Sequence, residues 1–254
     1  RELRLRNDRE DNVVFDLVQD DSGLIWAGTL GGGACKLDKR QSSFLTFRHD
    51  PLERDSLAGH FVYAFHEDRD GSLWVGTDVG LDRLKRRTGT FTHLRHDPDE
   101  PSGLPSDSVR SIHRDRSGVL WVATLVGLAR FDTDGDGRVR SRLYRHQPAN
   151  DRSLSHDYVY VVTEARDGVL WFGTASGLDA LRIEDRESGR FTARWSPEGT
   201  IRHVVRAIEV SADGTLWVGT YGGGLDRVDP RGGTARSHRH DPSDPRSLSS
   251  DYVY

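Results

Sequence analysis

Short apolar stretches recur along the chain between polar turns, and none continues at the three-to-four spacing of a helix face. Five of them repeat one phrase: Ile25-Trp26-Ala27-Gly28-Thr29, Leu73-Trp74-Val75-Gly76-Thr77, Leu120-Trp121-Val122-Ala123-Thr124, Leu170-Trp171-Phe172-Gly173-Thr174 and Leu216-Trp217-Val218-Gly219-Thr220. The tryptophans fall 48, 47, 50 and 46 residues apart. Ahead of each phrase lies a β-branched and aromatic segment, at 13–18, 61–66, 108–113, 158–163 and 204–209, which predicts an inner strand. Turns rich in Asp and Gly, such as Asp20-Asp21-Ser22-Gly23, join the two, because glycine supplies positive φ and aspartate bonds its own backbone. A second glycine turn leads to a third strand, as in Gly80-Leu81-Asp82-Arg83-Leu84. More polar outer strands are expected at 44–48, 91–95, 142–145, 191–195 and 234–239.

Four strand-sized segments in a period of roughly 40 to 50 residues predict propeller blades rather than a helical solenoid. The fold class is therefore all-β, a β-propeller of four-stranded antiparallel blades. Five complete blades are expected at about 11–51, 59–98, 106–148, 156–197 and 202–242, in a single propeller segment spanning 1–254. The joins share one recipe, seen in Arg95-His96-Asp97-Pro98 and Arg239-His240-Asp241-Pro242, which argues against two unrelated domains. Residues 249–254 copy 155–160 and begin a further blade, so the expectation is a piece of a larger propeller. A strand at Leu3-Arg4-Leu5 pairing with the last blade would instead close a five-bladed ring.

Composition narrows the function classes. The formal net charge of −4 comes from 40 acidic and 36 basic residues, mixed without blocks of one sign, so a nucleic acid is not an expected partner. Apart from Lys36, Lys39 and Lys85 the basic residues are arginines, scattered as a GC-rich genome would scatter them. Cys35 is the single cysteine, which excludes an intrachain disulfide and a cysteine-built metal site. There is no Met and no apolar run long enough to span a bilayer, so membrane contact is expected only through a segment outside this sequence.

Most residues that look chemical have a structural reading. A tryptophan at one place in every blade fills the wedge between adjacent sheets. His49, His96, His146 and His240 recur at outer edges of different blades and cannot converge to the roughly 2 Å that zinc requires. Asp132, Asp134 and Asp136, in Asp132-Thr133-Asp134-Gly135-Asp136-Gly137, form a weak calcium candidate. The twelfth position of such a loop would be Leu143, which cannot close it, and a long hairpin turn uses the same residues; no other cofactor is indicated. No nucleophile-elbow phrase anchors a catalytic triad.

The position eight residues before each first-turn glycine holds Phe15, Tyr63, Arg110, Tyr160 and Arg206, with Tyr254 in the next copy, while its neighbours are mostly Val, Ala and Ile. Inner strands surround the channel of a propeller, so Tyr63, Arg110, Tyr160 and Arg206 are candidate ligand-binding residues for a carbohydrate or small carboxylate. The bland alternative is long side chains packing between strands with polar tips in solvent. Asp78 and Tyr221 in second turns, and His60, His156 and His203 in loops, are candidates by position.

The combined pattern, an inner-strand Val, Asp or Ser, Gly, Leu-Trp-Val-Gly-Thr, Gly-Leu, then His-Asp-Pro and Ser-Leu, resembles the two-component-regulator propeller repeats. It includes Arg48-His49-Asp50-Pro51 with Ser56-Leu57, and Arg145-His146-Gln147-Pro148 with Ser153-Leu154-Ser155. Ala123, and Arg194-Trp195-Ser196-Pro197 in the fourth blade, depart from it. The resemblance implies a periplasmic or extracytoplasmic sensor region of a bacterial inner-membrane receptor, joined to a histidine kinase or diguanylate cyclase module that is not in this sequence. The expected function is non-catalytic sensing of a small molecule or oligosaccharide, with neighbouring blades and signalling modules of the parent chain as partners. Alternatives are a lyase- or glycosidase-like propeller enzyme, for which the inner-strand acids Asp16 and Glu209 give little support, and a protein-interaction scaffold.

Overall fold

The computed structural model describes residues 13–38, 43–100, 103–133, 139–192 and 203–254. It is all-β, with blades of antiparallel strands in chain order and, among the described residues, only a single-turn 3-10 helix at Ile183–Asp185. By compactness the chain divides into two units, 1–114 and 115–254.

The first unit holds two blades: β1 (Val14–Gln19), β2 (Ile25–Thr29), β3 (Ala34–Asp38) and β4 (Ser43–Phe47), then β5 (Val62–Glu67), β6 (Leu73–Thr77), β7 (Leu81–Lys85) and β8 (Thr90–Leu94). It ends on β9 (Val109–Arg114), the inner strand of the third blade. The second unit opens on the rest of that blade, β10 (Leu120–Thr124), β11 (Gly127–Thr133) and β12 (Val139–Tyr144). The fourth blade follows as β13 (Val159–Glu164), β14 (Leu170–Thr174) and β15 (Gly177–Leu181), and the fifth as β16 (Val205–Val210), β17 (Leu216–Thr220), β18 (Gly224–Asp229) and β19 (Thr234–His238).

Five blades were expected and five are found. Two outer strands differ from expectation. In the third blade β12 begins at Val139 rather than at residue 142, because β11 runs seven residues and pairs with it from Leu128 opposite Tyr144 to Thr133 opposite Val139. In the fourth blade the expected strand at 191–195 is represented by one bridge, Ala180 to Thr192; residues 193–195 lie outside the described residues, as do Leu3, Arg4 and Leu5.

The repeated phrase is explained residue by residue. Its threonine closes the second turn: the hydroxyls of Thr29, Thr77, Thr124, Thr174 and Thr220 donate to the carbonyls of Gly33, Gly80, Gly127, Gly177 and Gly224 at 2.8–3.0 Å. Its glycine admits the next blade. A Cβ on Gly76 would stand 2.7 Å from Val109, and one on Gly173 would stand 2.5 Å from Val161 and Val205, closer than two carbons approach. Ala123 fills this place in the third blade, packed into the buried cluster that contains Val159.

Its tryptophan is packed and bonded at once. Trp26 and Trp121 are fully buried, Trp171 nearly so, and Trp74 and Trp217 are half-buried. The indole N–H of Trp26, Trp74 and Trp121 donates to the aspartate six residues earlier, Asp20, Asp68 and Asp115, at 2.8–3.0 Å. Ser211 takes this role for Trp217 at 3.1 Å, and Ala165 stands at the corresponding position of the fourth blade.

All three aspartates also meet an arginine of the following blade: Arg114 donates to Asp68 at 2.8 Å, and Asp20 and Asp115 share a fuller clamp. In the first unit Arg86 bonds Asp20 of the first blade and, in its own blade, Glu67 and the Gly71 carbonyl. The second unit repeats the arrangement: Arg186 donates to Asp115 at 2.7 Å, Glu164 at 2.8 Å and the Gly168 carbonyl at 2.6 Å. The far carboxylate oxygens of Glu67 and Glu164 accept from the backbone N–H of Asp21 and Arg116. Burial alone would raise the Asp115 carboxyl, but donors from Ser117, Trp121 and Val119 and the Arg186 charge hold it below the usual carboxylate range, and Asp20 behaves likewise.

The recurring loop histidines organise their own loops. Nδ1 of His49, His96, His146 and His240 donates to the carbonyl of Leu57, Leu104, Leu154 and Leu248 at 2.6–2.8 Å. The backbone N–H of the last three donates to Asp107, Asp157 and Asp251. Both ends of each loop are thereby tied eight to eleven residues apart, which places the start of the next inner strand.

Candidate ligand-binding seats on the inner strands

The position singled out in the sequence has a backbone peculiarity. In the first blade Val14 pairs with Thr29 and Asp16 with Gly28, so Phe15 is an extra residue between consecutive pairs. The same irregularity surrounds Tyr63, Tyr160 and Arg206. A bulge re-aims the side chain it carries, and bulges concentrate beside functional sites. The flanking valines, Val62, Val159 and Val205, remain fully buried, while the bulged residues are half-buried or exposed.

Each unit carries one tyrosine–arginine stack built from these positions. In the first unit the Tyr63 ring lies 5.1 Å from that of Phe15 on one side, and the Arg110 guanidinium lies 3.8 Å over its centroid. In the second, the Arg206 guanidinium lies 4.3 Å over Tyr160 and 5.5 Å from the Tyr254 ring. Tyr254 continues to Tyr221 at 6.2 Å, and Tyr221 to Tyr252 at 4.7 Å. The aromatic faces thus support guanidinium planes, an attraction worth about 0.5–1 kcal/mol at exposed sites.

Arg110 and Arg206 differ from the other inter-blade arginines in what they lack. Arg86, Arg114, Arg130 and Arg186 all meet carboxylates. Neither Arg110 nor Arg206 has an ion-pair or hydrogen-bond partner among the described residues; a buried Nε without a bond, as in Arg110, is shared with Arg130 and Arg186 and is not the difference.

The remaining candidates are mostly occupied by local structure. Asp78 accepts from the backbone N–H of Phe61 at 3.2 Å. His156 accepts from the N–H of Tyr158 at 2.9 Å and packs edge-on against that ring. His60 stands edge-on to His49 at 5.0 Å, and the His203 ring lies against Gly223. Tyr221 is half-exposed in the tyrosine cluster. Asp132 accepts from Arg130 at 2.8 Å, while Asp134 and Asp136 lie outside the described residues. Among the described residues no three or more His, Cys, Asp or Glu side chains group as a metal site would require. The inner-strand acid Asp16 is half-buried and accepts from the N–H of Phe65 at 2.7 Å, with its carboxyl raised by desolvation. An open cleft of about 370 Å³ in the second unit, lined by Asp213, Trp217, Arg227, Arg236 and His238, contains none of the stacked residues.

One pair went unremarked in the sequence. His66 and His113, on the inner strands β5 and β9, stand 6.2 Å apart, and burial, His113 and Arg114 together lower His66 to about 4 against the opposing pull of Asp68. The signal was available as a histidine on successive inner strands, but nothing in the repeat marked it.

A family model described as two component regulator propeller matches residues 56–79, 103–125, 153–176 and 201–222, each stretch running from an inter-blade loop through the tryptophan phrase. These four segments are two-component regulator propeller repeats. Among solved structures, these repeats resemble the extracellular domain of a hybrid two component system from B. thetaiotaomicron, with 24% identity and a TM-score of 0.72 over 89% of this chain. They are also similar in fold to virginiamycin B lyase from Staphylococcus aureus (17% identity, TM-score 0.64, 92% of this chain and 72% of the lyase). A third likeness is to PorZ, a surface component of the type-IX secretion system of Porphyromonas gingivalis (16% identity, TM-score 0.69, 94% of this chain and 35% of PorZ). The regulator repeats of this chain span 30% of the B. thetaiotaomicron domain's length. No curated protein matches the sequence.

Proposed function

We propose that this chain is a non-catalytic sensory segment of an extracytoplasmic receptor region, and that it binds a small molecule at the tyrosine–arginine stacks of its inner strands. The single observation that carries the reading is the bulged position. The repeat keeps its neighbours apolar and buried, yet re-aims this one residue and fills it with stacked Tyr and Arg. The family of the repeats and the fold shared with an extracellular two component domain support the sensory setting.

The lyase likeness keeps an enzyme in view as a fold-level analogy. Acid–base chemistry needs a carboxylate free to take a proton at the reacting atom. Asp16 already accepts a backbone hydrogen bond, so it serves the strand rather than a substrate.

The test is binding to a glycan and metabolite array. The expected result is at least one ligand whose binding falls tenfold or more in Tyr63→Ala or Tyr160→Ala, with no turnover. Turnover abolished by Asp16→Asn would replace this reading with the enzyme, and binding only to a macromolecule, indifferent to both tyrosines, would replace it with a scaffold.

A further inference from the structure

We propose that Arg110 and Arg206 form two equivalent seats for a carboxylate, one in each unit, and that the ligand is a small organic acid; the inference rests on the sensory reading above. In each seat the guanidinium of one blade lies over the tyrosine ring of the preceding blade, Arg110 over Tyr63 at 3.8 Å and Arg206 over Tyr160 at 4.3 Å. Stacking occupies the face of the guanidinium and leaves its edge, where the donors are. The Nε of Arg110 is buried without a partner, so the donors left for a ligand are its two Nη groups, a fork that matches the two oxygens of a carboxylate. The tyrosine fixes that fork in advance, which lowers the ordering cost of binding.

The contrast with the clamps decides the ligand's charge. Arg86 and Arg186 are neutralised inside the protein by Asp20 with Glu67 and by Asp115 with Glu164. Arg110 and Arg206 meet no carboxylate among the described residues. Both are half-buried, so each presents a positioned cation without an internal partner to an anionic ligand. One guanidinium in each seat suits a singly charged carboxylate, whereas phosphate sites gather more donors and charge. The stacks also alter what the aromatics are for: with the Arg110 guanidinium 3.8 Å over its centroid and Phe15 beside it, Tyr63 is a shelf for the arginine rather than a platform for a sugar ring.

The experiment is NMR titration of the whole chain, following the arginine Nε–Hε signals, with D-glucuronate, acetate, D-glucose and inorganic phosphate as probes. Glucuronate is expected to shift the Arg110 and Arg206 signals saturably with two equivalents bound, and glucose is expected to leave them in place. Acetate shifting the same signals as strongly supports a plain carboxylate seat; glucuronate binding tighter supports an acidic sugar. Arg110→Gln should remove one equivalent and Arg206→Gln the other, while Arg110→Lys, which keeps charge and fold but lacks the fork, should weaken its seat about tenfold. Glucuronate failing to shift either signal, phosphate outcompeting it, or unchanged binding in both glutamine variants overturns the proposal. A neutral ligand lost in Tyr63→Ala but indifferent to Arg110→Gln overturns it as well, while leaving the sensory reading intact.

Discussion

The two units carry the same devices with different settings. In the first, the stack ends on Phe15, which has no hydroxyl; in the second it ends on Tyr254 and runs on into Tyr221 and Tyr252, all of them at least half-exposed. The clamps differ in the opposite sense. Arg186, Glu164 and Asp115 are nearly excluded from solvent, whereas a fifth of the Arg86 side chain remains exposed. The second unit therefore pairs a more deeply buried clamp with a more open candidate edge. Scaffold and site are tuned separately in this repeat because the clamp lies at one end of the inner strand and the bulge at the other.

The largest expected effect tests the clamp. Arg186→Ala leaves Asp115 and Glu164 buried without their cation, and breaking such a pair costs about 3–5 kcal/mol. Arg86→Ala should cost less, since water reaches the vacated site; chemical denaturation of both variants checks the order, and an equal loss would remove the claimed difference between units. A second variant sharpens the packing side. Gly173→Ala drives a methyl group into Val161 and Val205 and should destabilise by about 1–3 kcal/mol, while Ala123→Gly should cost no more than about 1 kcal/mol.

Acid separates the units next. His66 is held at about 4 in the folded first unit against 6.5 as its ordinary value, so the unfolded chain binds its proton first as pH falls. Stability from this site is present above pH 6.5 and is lost down to about pH 4, roughly 2 kcal/mol by pH 5. The second unit has Thr163 and Glu209, and no histidine, at this repeat position. Hydrogen exchange at pH 5 should thus show the first unit opening more readily, and His66→Gln should abolish the difference. The depressed carboxyls of Asp20 and Asp115 act later and in both units: their contribution is intact above the ordinary carboxylate range and disappears as pH falls through their lowered values. The smallest expected effect is that of Tyr63→Leu on stability, about 0.5–1 kcal/mol from the lost guanidinium contact, measured by thermal unfolding.

The blades were legible because their parts are local. The tryptophan phrase, its glycine and its threonine act within a few residues or on the adjoining blade, and recurrence exposed them. The outer strands were harder: the third blade's longer hairpin shifted its edge, since polar outer positions carry no apolar alternation to mark a boundary. Of the candidate seats, the variable position was visible in the sequence, but its bulge was not, because an extra residue in one strand shows only against the register of its partner. Nor could the sequence separate clamped arginines from open ones. Arg86 and Arg110 are both arginines near strand ends, and only the carboxylates brought beside the first distinguish them.

The clamps join the first blade to the second and the third to the fourth, and each sets an aspartate of one blade against an arginine of the next. The tyrosine of each stack lies in the second or fourth blade and its arginine in the third or fifth. A gene rearrangement that inserted or deleted one repeat would strand a buried carboxylate and put tyrosine where arginine belongs. Moving two together would keep tyrosine beside arginine, but Asp68 of the second blade also depends on Arg114 of the third. The alternation of the inner-strand position therefore favours lengthening by even steps, while the buried aspartates tie each of the first four blades to its neighbour.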